Sequence, residues 1–307
     1  MRQRPLCSHP FKPAVWIAIV VAAVIAPSVA RSAPQPHGDL RVEVVGEGRP
    51  VLMIPGLNSS AEVWRQTCQA LQPLQCHLIQ LPGFAGAPPA VSEPFLDGMR
   101  DQVLAYAASQ KLQQPAVIGH SLGGLLGMKL ALAAPEAIGP LVIVDSLPFF
   151  AAATNPAASV ASVQPMAAGM RQAMMAADDA TYARQAEAAL AGMTRSPERI
   201  EELKRWGAAS DRATTAQAMY ELLVTDLRDD LAGVRTPTLV LGAWAAYANF
   251  GQTREATLAI FAGQYAKLPG VRIALSDTGY HFLMWDDPQW LQGEVRGFLA
   301  AHPASGG

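Results

Sequence analysis

Pro115-Ala116-Val117-Ile118-Gly119-His120-Ser121-Leu122-Gly123-Gly124 decides how the chain is read. An apolar β-type run enters a G-x-S-x-G pentapeptide, and a helical pattern from Gly124 to Ala134 follows, closed by Pro135. Strand, G-x-S-x-G and helix in that order spell a nucleophile elbow. A sharp turn between the two elements strains the serine backbone, so small residues are needed two places before and two after Ser121. The same turn lifts the hydroxyl off the sheet and sets it at a helix N-terminus, where backbone N–H groups favour developing negative charge. The pentapeptide alone recurs by chance; the flanking strand and helix give it weight.

Working outward, apolar strands and helical stretches alternate. Strand patterns cover Leu40–Val45, Val51–Ile54, His77–Leu81, Leu141–Val144, Thr236–Leu241 and Val271–Leu275. Helical patterns cover Ser60–Leu71, Asp97–Leu112, Arg254–Tyr265 and Pro288–Ala301. Near-continuous apolar strands between helices predict an α/β fold with a doubly wound, mostly parallel sheet. From 148 to 227 the texture changes to Ala-, Met- and Gln-rich helical sequence without β-branched runs. That segment reads as a helical lid inserted between two strands, leaving 39–147 and 228–303 as the core.

The N-terminus carries a basic start (Arg2, Arg4, Lys12), an apolar run from Ala14 to Ala26, and Ser28 and Ala30 at the −3 and −1 places of a cleavage site. Residues 1–30 therefore read as a signal peptide, with 31–38 as a flexible leader. Thirteen apolar residues are short for a membrane span, so no stable span is expected after cleavage and the mature chain is expected to be exported, periplasmic or secreted; an uncleaved signal anchor is the alternative. Cleavage removes three basic residues and no acidic one, moving the formal charge from −2 to −5. An acidic balance argues against nucleic acid as a partner. Half the residues are hydrophobic and 16% charged, enough for a large core. Cys68 and Cys76 remain after cleavage; eight residues apart in an oxidising compartment, they read either as a disulfide or as two buried thiols.

A serine hydroxyl needs a base, usually histidine, oriented by a carboxylate. Of six histidines, His9 leaves with the signal, His37 and His302 lie towards the termini, His77 opens a strand, and His120 is the variable residue of the elbow. His281 remains, in Asp277-Thr278-Gly279-Tyr280-His281-Phe282 between the last strand and the last helix. That loop falls at the C-terminal edge of the sheet, where open α/β folds bind ligands. Backbone N–H groups of Leu122 and of Leu57, in the loop Pro55-Gly56-Leu57-Asn58, are the expected oxyanion hole.

With Pro55–Trp64, Leu81-Pro82-Gly83-Phe84-Ala85-Gly86, the elbow and Asp277–Phe282 together, the chain resembles the α/β-hydrolase superfamily over nearly its whole mature length. The resemblance implies Ser121 as nucleophile, His281 as base and a carboxylate between them in sequence. In many relatives that acid follows the strand after the lid, but here the stretch reads Leu241-Gly242-Ala243-Trp244-Ala245-Ala246-Tyr247, with no acid. A second location known in the superfamily, the end of the preceding strand, holds Asp145. Asp145 as the acid is one reading; a cap at the lid entry beside a Ser–His dyad is the other. Asp226, Asp229 and Asp230 fall at the wrong sheet edge, and Asp277 shapes the loop.

Phe149, Phe150, Trp244 and Tyr247 are candidate substrate-facing side chains. Met166, Met170, Met174 and Met175 follow one helical face, as an acyl-binding wall or as ordinary lid packing. The expected activity is hydrolysis of carboxylic esters with small to medium apolar acyl groups through an acyl-enzyme, with a small apolar ester as partner and no metal or organic cofactor. Hydrolysis of an amide, thioester or C–C bond, or ligand binding without turnover on the same scaffold, are the alternatives. An elbow with serine argues against dehalogenase or epoxide hydrolase chemistry, which needs Asp there.

Overall fold

The computed structural model describes residues 33–90 and 93–303, together with Met1. The expected signal peptide over 1–30 and the first residues of the leader lie outside them, Met1 apart. Eight strands form one sheet: β1 (Gln35–His37), β2 (Leu40–Val45), β3 (Arg49–Ile54), β4 (Leu74–Gln80), β5 (Ala116–His120), β6 (Leu141–Val144), β7 (Thr238–Ala243) and β8 (Arg272–Ser276). Their spatial order is β1-β2-β4-β3-β5-β6-β7-β8. The first two strands run antiparallel to their neighbours, and the remaining six are parallel.

Helices α1 (Arg65–Ala70), α2 (Phe95–Ser109) and α3 (Leu122–Ala133) precede β6. Four helices lie between β6 and β7: α4 (Val160–Ala176), α5 (Asp179–Ala188), α6 (Pro197–Ala208) and α7 (Arg212–Val224). After β7 come α8 (Arg254–Gln264), the short α9 (Leu283–Asp286) and α10 (Pro288–Ala301).

The strands read as unbroken apolar runs because both faces of the sheet are buried. Leu52, Ile54, Val117, Leu141, Ile143 and Val240 point into a core shared with α2, α3 and α8. Their immediate neighbours Val51, Met53, Ile118, Val142, Val144 and Leu239 point into a second core with α1 and α10. Alternation along each strand thus divides one hydrophobic run between two cores.

Three expectations need correction. Residues 35–37, read as flexible leader, form β1. Gly38, at φ +62, makes the tight turn that brings His37 opposite Leu40, and the His37 ring lies 4.6 Å from that of Tyr106. His77 sits within β4 rather than opening it, buried, with Nδ1 2.6 Å from the Tyr106 hydroxyl. Helix α2 also begins two residues before Asp97. Its N-cap, Pro94, has no capping side chain, and the Glu221 carboxylate on α7 accepts the N–H groups of Phe95 and Leu96, each at 2.7 Å.

The insertion closes on itself at its base, where the Leu227 N–H donates to the Pro148 carbonyl at 3.1 Å. Among the described residues no helix is long and apolar enough to cross a membrane.

Candidate active site

Strand β5 ends at His120 and α3 starts at Leu122, so Ser121 alone makes the turn, at φ 53 and ψ −119. That is a sparsely populated backbone conformation for an L-residue, and about 1–3 kcal/mol of strain is typical of such positions. Contact distances explain the glycine spacing. A Cβ on Gly119 would lie 2.1 Å from the Gly123 carbonyl oxygen, and one on Gly123 would lie 2.4 Å from that of Ile54. The helix start is pressed against β5 and β3 more closely than any side chain allows. As the first residue of α3, Leu122 has an N–H with no acceptor inside its own helix.

Asp145 follows β6 and also holds positive φ, 46°. Its N–H donates to the Leu241 carbonyl at 2.7 Å, keeping it in the ladder with β7. Its carboxylate is divided between two tasks. Oδ1 accepts the Ala243 N–H at 2.8 Å, and Oδ2 lies 2.6 Å from His281 Nδ1. The Asp145 side chain is 8% exposed and that of His281 21% exposed. The acid is therefore nearly dry while the imidazole reaches solvent or substrate.

The loop that presents His281 is tied down at several points. Gly279 N–H donates to Ser276 Oγ at 2.8 Å, and Tyr280 N–H to Asp286 Oδ2 at 3.1 Å. Asp277 pairs with Arg254 at 2.7 Å, as befits a residue that shapes the loop. The His120 ring lies 4.5 Å from that of His281, and its Nε2 donates to the His281 carbonyl at 3.0 Å. Ser121, Asp145 and His281 thus gather at one sheet edge. The register pairs His120 with Val144, Val144 with Leu241 and Ala243 with Ser276, which aligns the strand ends.

Leu57 follows β3 at the same edge and is half-buried. Its neighbour Asn58, at φ 55, accepts a hydrogen bond from the Thr215 hydroxyl of α7 at 2.6 Å. On the opposite side, the Phe282 N–H donates to the Met193 carbonyl and the Thr194 hydroxyl to Asp286, at 3.0 and 2.6 Å. The four-helix insertion therefore grips both the loop of Leu57 and the loop of His281.

Other expected site residues separate. Phe149 is wholly buried against Ala152 and Ala158, so it packs inside the protein instead of lining a pocket mouth. Gln264 holds its backbone at both N–H and C=O, and the Arg228 guanidinium covers its ring. Phe150 is 51% exposed. Trp244 directly follows β7 and is half-buried, with its indole nitrogen buried and without a partner among the described residues. Tyr247 lies in a 3-10 turn over 245–250, its side chain outside those described. Met166, Met170 and Met175 are exposed on α4. Cys68 and Cys76 are joined, linking α1 to β4 with Cα atoms 6.1 Å apart. Asp226 pairs with Arg228, and Asp229 with Lys267, away from His281.

Tyr265 was not singled out from sequence. It is completely buried beneath the acid strand, donates to the Ser146 carbonyl at 2.8 Å, and is pushed well above the ordinary tyrosine range by burial and then by the charge of Asp145. A lone tyrosine at a helix end carries no periodic signal that would have marked it. Among the described residues no three His, Cys, Asp or Glu side chains stand together as metal ligands.

Comparison with known proteins agrees with this architecture. A 115-residue stretch is 33% identical to the pimeloyl-[acyl-carrier protein] methyl ester esterase of Vibrio campbellii, covering 37% of this chain and 43% of that one. The chain therefore matches less than half the length of that relative. A protein named carbamate hydrolase RutD in Rhizobium rhizogenes is 26% identical over 274 residues, 85% of this chain and 98% of that one. The solved esterase EaEST from Exiguobacterium antarcticum superposes with a TM-score of 0.70 at 15% identity, over 85% of this chain and 95% of that one, a likeness of fold. The sequence profile of the alpha/beta hydrolase family matches residues 51–292, and the chain belongs to that family.

Proposed function

We propose that the chain is an exported serine hydrolase that cleaves carboxylic esters of small to medium apolar acyl groups through an acyl-enzyme. One observation carries the reading: Asp145 Oδ2 lies 2.6 Å from His281 Nδ1, at the sheet edge where Ser121 is held in a strained turn. In this reading His281 Nε2 takes the Ser121 proton as Oγ attacks the ester carbonyl. The Asp145 carboxylate holds the ring in the tautomer with a free Nε2 and stabilises the imidazolium. The N–H groups of Leu57 and Leu122 receive the oxyanion. His281 returns the proton to the leaving alkoxide, and water, activated by the same imidazole, releases the acid.

Export is supported by the residue pattern of 1–30 and agrees with the Cys68–Cys76 bond, since disulfides persist in oxidising compartments. A second reading, cleavage of a carbamate or amide by the same residues, is favoured by the near full-length likeness to RutD. The test is hydrolysis of p-nitrophenyl acetate, butyrate and octanoate beside an aryl carbamate, with Ser121→Ala as control. Ester turnover that falls by at least ~10³-fold in Ser121→Ala is expected. Turnover of the carbamate alone would move the assignment to the second reading. Expression of the whole chain with recovery of a mature form beginning at Arg31 would check export.

A further inference from the structure

His120 occupies the variable place of the elbow, yet it is 1% exposed and touches both parts of the site. Its ring lies 4.5 Å from that of His281 and 4.7 Å from that of Phe282. Nε2 is 3.0 Å from the His281 carbonyl oxygen, which only accepts, so Nε2 carries the proton. Burial, reinforced by the neighbouring His281, pushes His120 well below the ordinary histidine range and keeps it neutral. Nδ1 is therefore an acceptor. It is sealed from solvent, has no partner among the described residues, and faces Gly56, where a Cβ would come within 3.1 Å of it.

A buried acceptor left unpaired is destabilising, and a phenylalanine would fill the same space without that cost. Stability does not explain a histidine here. The hydrogen bond to His281 does, because it reaches the main chain of the very residue whose side chain meets Asp145. Ser121 is the next residue after His120 on the same strand end. One side chain thus spans from the backbone of the proposed nucleophile to the backbone of the proposed base.

We infer that His120 is the positioning residue that fixes His281 relative to Ser121, an assignment that rests on the serine hydrolase reading. The Nε2–H sets where the His281 backbone sits, and the neutral ring packs against the imidazole without competing for its proton. A misplacement of about 1 Å at such a site costs on the order of 100-fold in rate, which sets the scale of the effect.

Three substitutions separate the hydrogen bond from the packing. His120→Phe keeps an aromatic ring and loses the donor. His120→Gln places an amide N–H near the Nε2 position, and His120→Asn places it near Nδ1, short of the His281 carbonyl. With p-nitrophenyl butyrate, Phe and Asn are expected to lower kcat by roughly 10- to 100-fold with KM within about twofold, and Gln to recover most of it. A readout independent of turnover is the downfield proton NMR signal of His281 Nδ1–H, assigned by its loss in Asp145→Asn. It is expected to broaden in Phe and Asn and to persist in Gln. Wild-type kcat and an unchanged signal in Phe and Asn would overturn the assignment, as would equal losses in all three variants. If the wild-type protein hydrolyses no ester, the functional reading fails by itself, and the signal alone still reports whether His120 holds His281.

Discussion

At the C-terminal edge of the sheet, Ser121 and Asp145 each sit at positive φ directly after a strand, and each has its N–H bonded to the adjacent strand. In two helices of the insertion between β6 and β7 the constraints are weaker: α4 buries Ala167 alone and α5 buries no residue, whereas α7 buries seven and α3 beneath the elbow buries nine. The insertion is still anchored, through Thr215 to Asn58, Glu221 to the start of α2, and Thr194 to Asp286. Strained backbone and sub-van-der-Waals glycine contacts leave little choice of residue at the sheet edge, while α4 and α5 lie largely exposed.

Gly123, two residues after Ser121, makes one of these glycine contacts. Ala there would set a Cβ 2.4 and 2.6 Å from the carbonyl oxygens of Ile54 and Pro55. A loss of about 3 kcal/mol in stability and roughly 100-fold in kcat is expected from urea unfolding and ester kinetics. Tolerance of Ala would mean that the elbow is less constrained than its contacts indicate.

His77 gives the pH dependence of the core. Burial lowers its pKa from the ordinary 6.5 to about 4, so as pH falls the unfolded chain takes the proton first. Its contribution is complete above pH 6.5 and is lost as pH drops towards 4, by up to about 3 kcal/mol. His77→Gln should flatten that part of the acid limb in pH-dependent thermal unfolding; an unchanged limb would place the effect elsewhere.

Glu221→Gln tests the anchoring of the insertion. The carboxylate serves two α2 N–H groups and also accepts from Gln217 at 2.7 Å, so removing its charge should cost about 1–2 kcal/mol with kcat near wild type. The smallest effect is expected on α4. Met166→Gln and Met170→Gln, at side chains 50% and 41% exposed, should change stability by less than ~0.5 kcal/mol. A marked rise in KM for octanoate but not acetate in these variants would convert that exposed face into an acyl-binding wall.

The mostly parallel sheet and the elbow are legible in the sequence because each follows from local rules, whereas Asp145 is one of two readings there, offered by the resemblance, and its contact with His281 is seen only in the fold. A strand that ends at a glycine-flanked serine, or at an aspartate, leaves its side chain at a known sheet edge. The burial of Phe149 is not legible there, since nothing in its local pattern reveals that Gln264, 115 residues away, clamps its backbone. Strand β1 was missed because a Pro- and Gly-containing leader reads as loop until Tyr106 supplies a surface for His37. Glu221 and Thr215 act across more than a hundred residues, and no spacing in the chain announces such partners.

In the proposed site the carboxylate at the end of β6 stands in place of one after β7. Single-turnover kinetics of p-nitrophenyl butyrate with Asp145→Asn beside the wild-type protein test this most directly, since p-nitrophenolate release reports acylation ahead of deacylation. The account predicts an acylation rate lower by about 10³- to 10⁴-fold at neutral pH with the fold intact. Acylation within tenfold of wild type would contradict it and leave Ser121 and His281 working without Asp145.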